Sequence, residues 1–111
     1  MKTPIFVYQP NDLCVFESIK AAESYIEPID VENREYVYYD AEGAVLQAKV
    51  VRDLVGIEKT KIYEEPVHRH EPSELRKILI DFLIAVGRSK SDLEIMELKN
   101  LVSTSQKYST K

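Results

Sequence analysis

Short alternating stretches open the chain and helical periodicity closes it. Ile5 to Tyr8 is a β-favouring run, Gln9-Pro10-Asn11-Asp12 turns it, and Leu13 to Phe16 follows, so the pair predicts a hairpin. Ser18 then suits an N-cap, and Ile19, Ala22, Tyr25 and Ile26 recur at spacings of three and four, one apolar face of a helix. Pro28 forbids continuation and pushes Glu27 toward an extended backbone, which predicts a rigid acidic loop. Tyr36 to Tyr39 reads as a strand with Tyr36 and Tyr38 on one face and Val37 and Tyr39 on the other. Asp40-Ala41-Glu42-Gly43 is turn chemistry. In Ala44 to Arg52, Ala44, Leu46, Ala48 and Val50 fall on one face and Gln47 and Lys49 on the other. One face of that strand should be buried and one wet, as in an antiparallel sheet. Asp53 to Glu58 is irregular around Gly56, and Thr60 to Glu64 predicts a fifth strand at a sheet edge.

After a loop from Pro66 to Pro72, Ser73 is the expected cap of the main core helix. Leu75, Ile78, Leu79, Phe82, Leu83 and Val86 follow its apolar period, with Leu79 and Phe82 central. Ile80, Ile84 and Ala85 widen the stripe until Arg76, Lys77 and Asp81 form the polar wedge. A helix this apolar should lie on the sheet with another helix beside it. Gly87 suits its C-terminal end. Ser91-Asp92-Leu93-Glu94 is a capping box, predicting a last helix with Ile95, Leu98, Leu101 and Val102 inward. The expectation is an α+β domain, an antiparallel sheet of about four to five strands packed against two to three helices, over residues 1–102. Residues 103–111 read as a flexible polar tail.

Composition narrows the class. At 111 residues the chain is of single-domain size, and its 44% hydrophobic and 31% charged residues are ordinary for a globular protein. A net charge of −4 argues against direct nucleic-acid binding. Cys14 stands alone, so no intrachain disulfide can form, which suits a reduced cytoplasmic setting. Ile5 to Tyr8 is too short for a signal-peptide core, and no apolar run reaches the ~18 residues of a membrane span. No membrane contact is expected, and oligomeric state is left open.

Catalytic chemistry finds little support. Gly43, Gly56 and Gly87 are dispersed and form no phosphate cradle. Cys14 lies in the apolar run Leu13-Cys14-Val15-Phe16, without a neighbouring base to activate it. His68-Arg69-His70 among Glu64, Glu65 and Glu71 is the one candidate metal cluster, but two imidazoles with an arginine between them fall short of a tetrahedral ligand set. No catalytic residue, metal or cofactor is expected.

The acidic stretch is the sharper feature. Glu23, Glu27, Asp30, Glu32, Glu35, Asp40 and Glu42 face Arg34 as the sole base between them. Charges of one sign repel one another, a cost that an indifferent surface avoids by mixing signs. Tyr36 and Tyr38 beside these acids have the composition of a protein-binding patch aimed at a basic partner.

Pro10-Asn11-Asp12, Phe16-Glu17-Ser18, Ala21-Ala22-Glu23, the run Tyr25-Ile26-Glu27-Pro28-Ile29-Asp30-Val31-Glu32-Asn33 and Tyr39-Asp40-Ala41-Glu42-Gly43 together resemble the opening of small bacterial immunity proteins. Those are the antidotes encoded beside contact-dependent growth inhibition and other polymorphic toxins. The resemblance spans residues 4–50 and names no toxin activity. It implies a cytoplasmic, non-enzymatic protein that blocks the active site of one cognate toxin domain; a basic nuclease would match the acidic face. A structural adaptor within a larger assembly and a small metal-dependent enzyme using His68 and His70 are the alternatives.

Overall fold

The computed structural model describes residues 1–66 and 69–108. Its elements run β1 (Ile5–Gln9), β2 (Asp12–Phe16), α1 (Ile19–Tyr25), α2 (Pro28–Glu32), β3 (Val37–Tyr39), β4 (Val45–Arg52), β5 (Glu58–Glu64), α3 (Pro72–Ala85), α4 (Lys90–Glu94) and α5 (Leu98–Gln106). The five strands form one sheet in the order β2-β1-β3-β4-β5, antiparallel throughout. The fold is α+β, with β5 at an edge as its sequence predicts.

Local chemistry explains the turns. β1 and β2 pair from Ile5↔Phe16 to Gln9↔Asp12, leaving Pro10 and Asn11 to reverse the chain. Asn11 takes φ 68, a left-handed conformation that its short polar side chain tolerates. Between β3 and β4, Asp40 Oδ1 accepts from the Glu42 and Ala44 amides, both at 2.9 Å. Gly43 follows at φ 86, and a Cβ there would lie 2.6 Å from Pro72 Cα, so both backbone shape and space demand glycine.

The sheet is a middle layer, not a one-sided platform. One face, with Phe6, Val15, Tyr39 and Val45, packs against Leu75, Leu79 and Leu83 of α3, Leu93 of α4, and Leu101 and Val102 of α5. The opposite face, with Ile5, Val7, Cys14, Phe16, Tyr38, Leu46 and Ile62, packs against Ala22 and Ile26 at α1. A wet face along the whole of β4 is therefore corrected: Val45 and Leu46 are both buried, and the exposed face begins farther out, at Lys49.

The C-terminal helices depart from expectation in several places. α3 starts at Pro72 with Glu71 at the cap position, two residues earlier than a Ser73 cap would give. Its buried row is Leu75, Leu79 and Leu83, whereas Phe82 is only partly buried. At its end the Gly87 and Arg88 amides donate to Ile84 and Leu83 carbonyls, a Schellman closure. The single last helix is two: α4 ends at Glu94 and α5 begins at Leu98, with Ile95 85% exposed. The Arg76 guanidinium explains the break, because it donates to the carbonyls of Glu94 and Met96 and so replaces intrahelical bonds. Finally, α5 continues through Ser103 to Gln106 with Thr104 and Ser105 buried, so these polar residues belong to the folded domain.

Candidate functional site

The acidic stretch begins at the α1–α2 junction. Ser18 Oγ accepts from the Ala21 amide and starts α1 as expected. Glu27 is extended at φ −81, ψ 148, but Pro28 opens a new helical turn instead of a loop. Proline suits that first position because its missing amide has no intrahelical partner there. Asp30 Oδ2 accepts from the Glu27 amide at 3.3 Å, closing the start of α2. Arg34 then takes φ 54 and redirects the chain toward β3.

This geometry sorts the acidic residues. Glu27, Glu32 and Glu35 are exposed, and none forms an ion pair among the described residues. Asp30 is half-buried in its capping role. Glu23 is half-buried too, because its Oε2 accepts from the Ile62 amide at 2.7 Å. That bond occupies a donor on the edge strand β5, which is a way of blunting a sheet edge. Thr60 adds a second tie from β5, donating to the Ile26 carbonyl at 2.7 Å.

Tyr38 and Asp40 are corrected as partner-contacting residues. Tyr36 and Tyr38 do share a face, with ring centroids 6.3 Å apart. That face, however, is the one α1 and α2 cover, so Tyr38 is 6% exposed and only Tyr36 reaches the margin. Asp40 is 3% exposed, its carboxylate taken by the turn amides and by the Lys2 amide at 3.1 Å. Glu42 is exposed, but β3 separates it from Glu35.

Two kinds of residue escape a reading of the sequence. Ile29 (57% exposed), between Glu27 and Glu32 in sequence, and Val37 (42%), on the sheet face opposite Tyr38, are exposed apolar groups. A five-residue helix and a three-residue strand are too short for periodicity to reveal their outward faces. A cleft of about 620 Å³ also lies beside the acidic stretch, lined by Val31, Arg34, Tyr36, Gln47 and Arg69 among others. Arg34, the sole base in an acidic run, was its one visible signal.

The tyrosines here hold their protons more tightly than free phenols. Burial pushes Tyr38 up to about 12, helped by the nearby Tyr36 and Asp30. Burial also raises Tyr36, followed by Asp30. On the opposite face, burial lifts Tyr39 to about 12, and its hydroxyl donates to Glu74 Oε2 at 3.1 Å. Cys14 is buried, and Tyr25 is raised first by its hydrogen bond with that thiol. His68 of the candidate metal cluster lies outside the described residues; His70 bridges to Ala44 on an exposed segment. Among the described residues no three His, Cys, Asp or Glu side chains are grouped to hold a metal.

Comparison with models of known protein families, with curated proteins and with solved structures found no match.

Proposed function

We propose that this chain is an immunity protein, a non-enzymatic antidote that binds a cognate toxin domain and blocks its active site. The contact surface is the edge formed by Glu27, Glu32 and Glu35 with Ile29 and the margin of Tyr36. One observation carries the reading: these exposed carboxylates have no ion-pair partner among the described residues, and they flank the exposed apolar side chain of Ile29. Acids around an apolar centre are complementary to a basic rim around an apolar socket, and opposite charge speeds encounter. A nuclease, whose cleft must attract a polyanion, has that kind of rim. The resemblance of residues 4–50 to immunity proteins supports the same reading. Such an antidote acts in the cytoplasm; no helix among the described residues is long and apolar enough to cross a membrane. The test is to purify the chain with the toxin domain encoded in the neighbouring reading frame. A stoichiometric complex without toxin activity is expected, and an active toxin with no complex rejects the proposal.

A further inference from the structure

A separate cluster of exposed apolar side chains lies at the turn joining β4 to β5. Leu54 is 106% exposed, Val55 78% and Ile57 56%. Their exposure is built in. Asp53 Oδ1 accepts from the Val55 and Ile57 amides at 3.0 Å, and the Asp53 amide donates to the Ile57 carbonyl. Gly56 closes the turn at φ 83 and donates to the Asp53 carbonyl. Arg52 pairs with Glu58 at 3.2 Å and Lys59 with Asp53 at 3.9 Å, which accounts for both local acids.

Below the tip the charge changes sign relative to the rest of the chain. The register sets Lys49 opposite Lys61 and Val51 opposite Lys59, so Lys49, Lys59 and Lys61 share one face of the hairpin, all exposed. Like charges directly opposite on a sheet are destabilising. Lys49 lies 5.1 Å from the Tyr63 ring centroid, and neither Lys49 nor Lys61 pairs with an acid among the described residues. In a chain of net charge −4, this is a concentrated basic stripe leading to an apolar tip.

We propose that the β4–β5 hairpin docks the protein on the surface of an anionic lipid bilayer. Leu54, Val55 and Ile57 enter the interface and the lysines meet the headgroups. Charge complementarity selects an anionic surface, and composition selects lipid over protein. Energetic anchors of protein interfaces are enriched in Trp, Tyr and Arg, while Leu, Val and Lys are under-represented. Here the tip is wholly aliphatic and the stripe is lysine. A convex tip also needs a matching socket in a protein, whereas a bilayer deforms around it. At a strand rise of about 3.3 Å per residue, Lys59 sits about 7 Å below Ile57 and Lys61 about 13 Å below it. An inserted tip therefore holds Lys59 among the headgroups, with Lys49 and Lys61 within about a Debye length of them. This is surface docking and needs no spanning helix.

The experiment is co-sedimentation of the full chain with vesicles of phosphatidylcholine alone or mixed with phosphatidylglycerol. The wild-type protein is expected to pellet with the anionic vesicles and not with the neutral ones. Leu54→Asp with Val55→Asp should weaken that binding at least tenfold, as apolar area is lost and negative charge gained. Lys49→Gln with Lys61→Gln should weaken it by about fivefold per lysine. All four sites are exposed, so both variants should keep the wild-type circular dichroism. A wild-type protein that stays in the supernatant with both vesicles overturns the proposal. So do folded variants that bind like wild type, and so does a hairpin that captures an acidic protein while ignoring lipid.

Discussion

Strand β4 passes through two environments. At its start Val45 and Leu46 face opposite sides of the sheet, and both are buried because helices cover both sides there. Farther out Val51 is as β-favouring as Val45 but exposed, in line with Lys49 and Lys59. The strand's own pattern does not separate these halves; what covers the sheet does. Packing therefore dictates the residues of the inner half, while the exposed outer half is free of that constraint.

The predictions test that division, beginning where packing is tightest. Leu79→Ala removes a fully buried side chain between α3 and the sheet and should cost about 2–5 kcal/mol in a denaturant melt. A shift near zero would place α3 outside the core. Alkaline pH probes the same half of the molecule through both faces of the sheet. Tyr38 and Tyr39 have folded pKa values of about 12 against 10.0 unfolded, so the neutral phenol is favoured in the fold. Their contribution is fully present below pH 10 and is lost as pH rises through about 12. Each accounts for up to about 2–3 kcal/mol, and Tyr39→Phe should remove its share of the pH dependence. A flat stability profile across that window would contradict the burial of both rings.

Arg76→Met should cost about 1–3 kcal/mol by freeing the Glu94 and Met96 carbonyls, with faster hydrogen exchange at the α4–α5 corner. In the outer half, Leu54→Asp should change stability by less than about 0.5 kcal/mol. Cost comparable to that of Leu79→Ala would erase the distinction between the halves.

How much of this was legible depends on how far each cause lies along the chain. The Pro10-Asn11 reversal, the Ser18 cap and the Asp40–Gly43 turn arise within a few residues, and turn chemistry exposes them; periodicity gives the α3 stripe but not that its buried row is Leu75, Leu79 and Leu83 with Phe82 to one side. The helix break at Ile95 arises from Arg76, which reaches Met96 from 20 residues away. Glu23 loses its freedom to an amide 39 residues away. A count of carboxylates marks the acidic run, but only the folded geometry shows which of them are spent on a cap, a turn or the β5 edge. The double-sided burial of β1 did leave a trace: Ile5, Phe6 and Val7 are consecutive apolar residues, a mark of a strand covered on both faces.

The central claim is that recognition sits on carboxylates the fold does not use. Glu32→Lys and Glu35→Lys combined, without touching Glu27 and Asp30 of the α2 capping box, test it most directly. The variant would be mixed with the toxin domain from the neighbouring reading frame, and association kinetics followed at low and high salt. The account predicts an unchanged melting transition, association at least tenfold slower at low salt, and a gap that narrows as salt screens the charges. Wild-type association by the folded variant at low salt would contradict it.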